Sequence, residues 1–198
     1  MNSLDAAEYT QHRFQELSLP GVVTSNRLFS GCQFHGCDFR DSVWETCEFY
    51  DCQFERCDFS LANWGYSKLE DVSFQECKLL GVDWAKVNWP SFISNPSVGF
   101  QHCLLNDASF FDLALAEVSF TNCRALGTDF RQANLSGADF SSSDLSGASF
   151  GNTNLTNANF AGATNYDINV QSNKVQGARF DRLEATRLLA GFGIRFTD

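Results

Sequence analysis

Large apolar residues recur at every fifth position along most of the chain, with short polar stretches between them. The first run steps by five without a gap: Phe29, Phe34, Phe39, Trp44, Phe49, Phe54, Phe59, Trp64, Leu69, Phe74, Leu79, Trp84 and Trp89. A second run resumes one residue out of phase: Phe100, Leu105, Phe110, Leu115, Phe120, Ala125, Phe130, Leu135, Phe140, Leu145, Phe150, Leu155 and Phe160. We call these residues the centres. A fixed period of this kind indicates a repeat architecture.

A second, smaller inward position lies two residues before each centre. Small residues predominate in this slot, and all eight cysteines occupy it: Cys32, Cys37, Cys47, Cys52, Cys57, Cys77, Cys103 and Cys123. The other three positions of each unit are mostly polar. A five-residue unit matches neither the 3.6-residue period of a helix nor the alternation of a strand. It matches a chain that turns a corner at every unit, with the large and small residues pointing inward.

The segments ANLSGADFSSSDLSGASFGNTNLTNANF and CQFHGCDF resemble the repeats of the pentapeptide-repeat family, A(D/N)LXX, over about residues 14–165. The resemblance implies an all-β fold, a right-handed quadrilateral (square) parallel β-helix in which four units make one coil. Such a solenoid stacks its coils through parallel backbone hydrogen bonds. Residues 20 apart would then be vertical neighbours, so we expect columns of like residues such as Trp44, Trp64 and Trp84.

The repeat pattern breaks once in the middle of the chain. Trp89 and Phe100 are 11 residues apart, and two of the three prolines lie between them. Because proline removes a backbone donor, we expect the β-helix of residues 1–180 to be interrupted at about 90–99. The interruption fits either a bulge between two stacked halves or a protrusion that contacts a partner. Residues 1–13 are polar and are expected to be poorly fixed.

Residues 181–198 have a different pattern. Arg182 to Ala190 resembles a short capping helix that Gly191 stops, and the alternation after it is typical of a strand. This tail should cover the end of the solenoid, which otherwise exposes apolar core and unpaired backbone. Its apolar content also predicts a homodimer in which two C-terminal ends pair, through Leu188, Leu189, Phe192, Ile194 and Phe196.

Charge and composition exclude several classes of function. The 198 residues include 24 acidic and 14 basic side chains, which gives a formal net charge of −10. This balance argues against direct binding of nucleic acid, which needs clustered lysine and arginine. No apolar run approaches the roughly 20 residues that span a bilayer, and the polar N-terminus does not resemble a signal peptide. We therefore expect a cytoplasmic protein without a membrane partner.

The sequence contains no motif that indicates catalysis or a bound cofactor. The cysteine spacing differs from the C-x2-C spacing of zinc sites, so we predict inward thiols, no metal and no cofactor. Nucleotide-binding and hydrolase motifs are missing as well. A β-helix enzyme of the polysaccharide-lyase kind would need convergent carboxylates in a groove and a larger coil, so we expect no catalytic residues.

Acidic residues occupy outward positions at regular intervals. Residues 100–160 carry six of them against two basic residues, Arg124 and Arg131. A narrow rod with regularly spaced negative charge resembles duplex DNA electrostatically, although each acidic residue alone also suits a solvated position. The candidate partner-binding surface comprises Asp71, Glu76, Asp107, Asp112, Glu117, Asp129, Asp139 and Asp144. Two outward apolar residues, Phe111 and Leu126, are candidate anchors.

Two segments of the chain narrow the resemblance. CRALGTDFRQANLSGADF and YDINVQSNKVQGARFDRLEATRLLAGFGI are similar to the Qnr-type and the albicidin- or microcin-immunity proteins. That resemblance implies a C-terminally joined dimer that binds DNA gyrase, and in some members topoisomerase IV, and protects the enzyme from a poison. Many Qnr-type proteins carry additional projecting loops, for which the interruption at 90–99 is the counterpart here. The alternative is a pentapeptide-repeat scaffold that binds an unrelated protein.

Overall fold

The centres of successive coils stack in four vertical columns, which give the molecule four faces. The computed structural model describes residues 4–89 and 98–194. Strands pair in parallel at a separation of 20 residues, as Phe34 does with Phe54. Across the interruption the separation is 26 residues, because Phe74 pairs with Phe100. These pairings confirm the parallel β-helix with four units per coil, and the right-handed sense of its winding stays a prediction.

Short strands and isolated bridges build the coils. The strands are β1 (Glu8–Thr10), β2 (Arg13–Gln15), β3 (Val23–Ser25), β4 (Leu28–Ser30), β5 (Gln33–His35), β6 (Val43–Glu45), β7 (Glu48–Tyr50), β8 (Gln53–Glu55), β9 (Lys68–Glu70), β10 (Val72–Gln75), β11 (Val98–Gln101), β12 (Ser119–Thr121), β13 (Asn159–Phe160) and β14 (Arg179–Phe180). Two 3-10 helices span Trp84–Lys86 and Glu184–Phe192. The sheet orders are β1-β4-β7-β9, β12-β11-β10-β8-β5-β2, β3-β6 and β13-β14, and single parallel bridges link many other units.

We number the faces in the order in which the chain visits their centres. Face 1 holds nine phenylalanines whose consecutive rings stack at 4.6 to 5.4 Å: Phe14, Phe34, Phe54, Phe74, Phe100, Phe120, Phe140, Phe160 and Phe180. Face 2 holds Leu19, Phe39, Phe59, Leu79, Leu105, Ala125 and Leu145. Face 3 holds Thr24, Trp44, Trp64, Trp84, Phe110, Phe130 and Phe150. Face 4 holds Tyr9, Phe29, Phe49, Leu69, Leu115, Leu135 and Leu155. The predicted tryptophan column is therefore confirmed.

The inward slot before each centre selects small residues that can donate a hydrogen bond. All eight cysteine thiols are free, and each donates to the carbonyl oxygen of a centre one coil earlier, at 3.3 to 3.8 Å. Ser67 and Thr153 make the same contact with their hydroxyls, at 2.8 and 2.9 Å. The predicted inward placement of the cysteines is confirmed, and the hydrogen bond explains why serine and threonine share their slot.

We expect the eight thiols to be reduced and slow to react in the native protein. All are at most 3% exposed, and burial raises the pKa of the Cys47 and Cys77 thiols, which disfavours the reactive thiolate. Mass-spectrometric counting of alkylated cysteines in native and denatured protein, with metal analysis alongside, measures this. Rapid labelling of most cysteines in the native state, or stoichiometric zinc, would contradict the prediction.

Two of the three stacked tryptophans on face 3 lack a partner for the indole N–H. Trp44 Nε1 donates to Ser42 Oγ at 2.7 Å, whereas the buried Nε1 atoms of Trp64 and Trp84 have no acceptor. Ala62 occupies the slot before Trp64 that Ser42 occupies before Trp44.

Ala62→Ser should therefore increase the free energy of unfolding by about 1 kcal/mol, because its hydroxyl would accept from Trp64. Denaturant unfolding measures the change. Ala108→Ser is the matched control, since it introduces the same hydroxyl before a phenylalanine centre. Equal effects of the two substitutions would show that the indole gains nothing.

The β-helix begins earlier than the sequence pattern predicted. Residues 4–13 are not poorly fixed: Leu4 is buried, and the ring of Tyr9 stacks on Phe29 at 5.3 Å. Leu4 and Tyr9 lie ten and five residues before Phe14, so both continue the five-residue period. The polar composition of the segment concealed this signal.

The last coil is shortened before the pattern returns. Tyr166 rather than Asn165 enters the core, and Ile168 pairs with Phe150, at a separation of 18 residues instead of 20. Phe180 then stacks on Phe160 at 4.9 Å. The described β-helix thus reaches residue 180.

The C-terminal helix and the interruption differ from their predicted bounds. The 3-10 helix continues through Phe192, and Gly193, with a φ of +68°, follows it, so Phe192 does not begin a strand. Phe196 lies outside the described residues. At the interruption, Val98 and Gly99 belong to β11 and pair with Val72 and Ser73, and residues 90–97 lie outside the described residues.

Candidate protein-interaction surfaces

Each coil turns at four corners, and the corner residue lies two positions after a centre. Corner residues have a positive φ, as at Asp107 (+58°), Asp112 (+58°) and Glu117 (+64°). This left-handed conformation strains most side chains and is tolerated best by glycine, asparagine and aspartate. Aspartate at a corner therefore satisfies the backbone and directs its carboxylate into solvent.

The acidic residues that are close in sequence do not form one patch. Asp107 lies between faces 2 and 3, Asp112 between faces 3 and 4, and Glu117 between faces 4 and 1. A spacing of five residues places them on three successive corners of one coil, so they encircle the shaft. Their neighbours along the shaft are 20 residues away, as Gly127 is to Asp107 and Gly137 is to Glu117.

Two other members of the predicted surface are held in ion pairs. Arg131 binds Asp129 on face 3 with two hydrogen bonds, of 2.7 and 2.9 Å, and these bonds lower the pKa of the Asp129 carboxyl. Arg56 Nε lies 2.8 Å from a carboxylate oxygen of Glu76 and lowers its pKa in the same way. Both side chains stay ionised, but an adjacent cation offsets each charge.

Two further members accept hydrogen bonds from neutral groups. Asp139 on face 1 accepts from the Ser141 amide and from Asn159, both at 2.9 Å. Asp144 on face 2 is partly desolvated, which opposes ionisation, but hydrogen bonds from Ser146 and Asn165 outweigh this and lower its pKa. Both carboxylates are therefore fixed in orientation and remain charged.

One corner carries acidic residues in successive coils. Asp51, Asp71 and Glu117 all lie between faces 4 and 1, and each has a positive φ. The chain passes this corner between Trp89 and Val98, so the column of carboxylates flanks the interruption on both sides. Of the predicted acidic residues, Asp71 and Glu117 thus share an edge of the shaft.

The two predicted apolar anchors lie on different faces. Phe111 is on face 3, 36% exposed, and the Arg131 guanidinium carbon lies 5.8 Å from the centre of its ring. Leu126 is on face 2 and partly exposed. The structure therefore does not bring them together into one hydrophobic site.

Sequence analysis missed two concave surfaces of the shaft. A trough of about 820 Å³ follows face 1, and its polar lining is mostly uncharged, including Gln15, Gln33, Gln53, Gln75 and Gln101. A groove of about 750 Å³ lies where face 3 meets face 4 beside Trp89. Comparing residues 20 apart, instead of neighbours in sequence, would have revealed the glutamine series.

Metal-binding and membrane-spanning features can be assessed for the two described ranges. Within residues 4–89 and 98–194, no group of three or more histidine, cysteine, aspartate or glutamate side chains is placed to hold a metal ion. The helices of those ranges are too short or too polar to cross a bilayer.

The predicted dimer residues divide between the shaft and the surface. Leu188 packs against the core of the shaft, and Leu189 is half-buried. Phe192 and Ile194 are 51% and 49% exposed, and Leu183, which the prediction did not include, is 81% exposed. Leu188 therefore caps the end of the shaft, and the exposed residues form the apolar surface that a second chain could cover.

We expect a twofold dimer through this C-terminal end, because pairing would bury the exposed side chains. Light scattering should give twice the chain mass at micromolar concentration. Phe192→Asp combined with Ile194→Asp should give monomers, whereas Val23→Asp, at an exposed residue near the other end, should remain dimeric. A monomeric wild-type protein would contradict the prediction.

Comparison with known proteins agrees with this architecture. The family model named pentapeptide repeat region matches residues 27–110 and 93–180. A trypsin-treated variant of QnrB1, a plasmid-mediated fluoroquinolone resistance protein, is 20% identical, with 97% of this chain and 98% of that chain covered and a TM-score of 0.72. Full-length QnrB1 is 21% identical, with 94% and 100% covered and a TM-score of 0.54.

A more distant structural match is HetL, a pentapeptide-repeat protein from the cyanobacterium Nostoc sp. strain PCC 7120. It is 17% identical, with 89% of this chain and 88% of that chain covered and a TM-score of 0.40. No curated protein matches the chain significantly by sequence. The likeness to QnrB1 shows a shared fold along nearly the whole length of both chains.

Proposed function

The chain belongs to the pentapeptide-repeat family, and from this premise we propose that it is a non-enzymatic cytoplasmic protein that protects a type II topoisomerase from a poison. It would bind DNA gyrase, or topoisomerase IV, on the surface that otherwise holds DNA. The result in the cell would be antibiotic resistance or immunity to a toxin that the cell itself makes.

The observation that carries the proposal is the distribution of acidic side chains around the shaft. Asp107, Asp112 and Glu117 project from three corners of one coil, and Asp139 and Asp144 add carboxylates on faces 1 and 2. Duplex DNA likewise presents its negative charge around a narrow axis. A basic surface that accommodates the duplex would meet carboxylates whichever of these faces approached it.

The shape of the chain supports the same proposal. The likeness to QnrB1 covers 97% of the chain, so it includes the C-terminal end as well as the repeats. An unbroken core of nine stacked phenylalanines on face 1 makes a stiff rod. A stiff rod pays little conformational entropy when it occupies an extended binding surface.

The proposal is tested by assaying the purified protein with gyrase, DNA and a fluoroquinolone. Adding the protein should reduce drug-induced DNA cleavage in a dose-dependent manner, and gyrase should be retained on the immobilised protein. Heat-denatured protein is the control for non-specific effects. If gyrase and topoisomerase IV are neither retained nor protected, the proposal is wrong.

The trough on face 1 favours the alternative, a scaffold for an unrelated protein. Its glutamine side chains carry no charge and so do not imitate a phosphate backbone. Gln53→Glu combined with Gln75→Glu should leave gyrase protection intact if the topoisomerase proposal is right. Capture of a different protein that these substitutions abolish would support the scaffold.

A further inference from the structure

The groove beside Trp89 has apolar walls on a shaft whose surface is otherwise mainly polar. It encloses about 750 Å³ and is bounded by Val43, Val87, Trp89 and Leu113. The Trp89 ring is partly buried, and its Nε1 donates to the Trp84 carbonyl oxygen at 2.8 Å, which fixes the ring as one end of the groove. A volume of this size accommodates a large side chain with room to spare.

The floor of the groove exists because two side chains are missing from a column on face 3. The residues that follow the face-3 centres are Ser25, Glu45, Gly65, Ala85, Phe111 and Arg131 in successive coils. Gly65 and Ala85 are the smallest of the six, and they lie between the long side chains of Glu45 and Phe111. The depression is therefore a property of these two residues, and filling one of them should close it.

A buried acceptor without a hydrogen bond lies in the same groove. Asn63 Oδ1 is inaccessible to solvent and has no partner, although Asn63 lines the groove. It is 3.7 Å from the position that a Cβ would take at residue 65. An unsatisfied buried acceptor costs free energy, which an occupant with an N–H or O–H group would recover.

The rim combines an exposed aromatic ring with mainly negative charge. Tyr66 is 75% exposed at the corner that borders the groove. Glu45 and Lys86 also line it, and Lys86 is paired with Asp83 at 3.9 Å. Asp112 occupies the same corner one coil further along. The rim therefore suits an occupant that is flanked by basic residues.

We propose that this groove binds a tyrosine or tryptophan side chain that a protein partner presents between basic residues. The ring would pack against Trp89, Val87 and Tyr66, and its O–H or N–H would donate to Asn63 Oδ1. Tyrosine and tryptophan join a large apolar body to one donor, which is the combination that the groove requires. This inference rests on the proposed function in one respect: the topoisomerase would be the partner that presents the side chain.

Closing the groove tests the inference without disturbing the fold. Ala85 is exposed, so Ala85→Leu should fill the floor and leave the melting temperature unchanged. Ala161→Leu is the matched control, because Ala161 is an exposed alanine in the same position of its unit, on face 1. Ala85→Leu should weaken gyrase binding by at least about tenfold, while Ala161→Leu should bind like the wild type. Equal binding by both variants would overturn the anchor on gyrase.

A peptide probe tests the groove without gyrase. Acetyl-Lys-Trp-Lys-amide should shift the backbone amide resonances of Gly65 and Ala85 saturably, and acetyl-Lys-Phe-Lys-amide, which lacks the indole donor, should bind more weakly. Acetyl-Lys-Ala-Lys-amide should leave both resonances unchanged. If the tryptophan and alanine peptides behave alike, the groove is not an aromatic site.

The two experiments separate this inference from the proposed function. Wild-type protein that binds the tryptophan peptide but no topoisomerase would keep the groove and refute the function. Wild-type protein that protects gyrase equally well with Ala85→Leu would keep the function and refute the groove.

Discussion

Phe130→Ala should lower the free energy of unfolding by about 3–5 kcal/mol, the usual cost of truncating a buried phenylalanine. Phe130 is fully buried in the column of face 3, where its ring stacks on Phe110 at 5.3 Å and on Phe150 at 5.1 Å. It also meets Phe120 and Phe140 edge to face, each at 5.4 Å. Four rings hold the cavity open, so the site cannot collapse to offset the loss.

A thermal unfolding scan measures this effect. For a chain of this size, the expected loss corresponds to a fall in the melting midpoint of roughly 6–20 °C. Ser141→Ala is the control, because Ser141 is an outward residue whose backbone amide, rather than its hydroxyl, binds Asp139. If the two variants melt at the same temperature, the assignment of Phe130 to the core is wrong.

Removing the charges of Asp107, Asp112 and Glu117 should weaken gyrase binding by about tenfold or more and abolish drug protection. The substitutions are Asp107→Asn, Asp112→Asn and Glu117→Gln. They keep side chains of similar size at corners with positive φ, where a lysine would add backbone strain. Binding by the wild type should also weaken more steeply with salt than binding by this triple variant.

A second triple variant shows how the partner approaches the shaft. Asp51→Asn, Asp71→Asn and Glu117→Gln remove the same number of charges from one corner, whereas the first set removes them from around one coil. A partner that surrounds the shaft should respond to both variants, and a partner that docks on one edge should respond more to the second. A folded first variant that still protects gyrase fully would rule out charge mimicry by those residues.

Phe111→Ala separates charge from a hydrophobic contact. Arg131 covers part of the Phe111 ring, so the truncation removes a limited apolar area and leaves the surface charge unchanged. If this single change abolishes protection while circular dichroism shows an intact fold, a hydrophobic docking site on face 3 accounts for binding better than charge does.

The five-residue period predicts the core because it is a direct consequence of how the chain is wound. Each centre enters the interior once per side, so the columns of Trp44 and Phe130 could be assigned from spacing alone. Tyr9 and Leu4 obey the same period and were missed because their neighbours are polar. Tyr166 could not be placed from the period, since the chain shortens the last coil by two residues at Ile168.

The surfaces are harder to predict because neighbours in sequence are not neighbours in space. Asp107, Asp112 and Glu117 are spaced by five, which separates them onto different corners, whereas Asp51 and Asp71 are spaced by 20 and share one. The groove depends on two small residues in one column, Gly65 and Ala85, and on the partner that Asn63 lacks. Only the stacked structure shows these relations.

Competition between this protein and DNA for gyrase tests the central claim most directly. A fluorescently labelled duplex bound to gyrase should be displaced by the unlabelled protein, and raising the duplex concentration should raise the protein concentration needed in proportion. Fluorescence anisotropy at constant salt measures both. Simultaneous binding of protein and duplex to gyrase, with the affinity for the duplex unchanged, would contradict the claim that the acidic shaft occupies the DNA-binding surface.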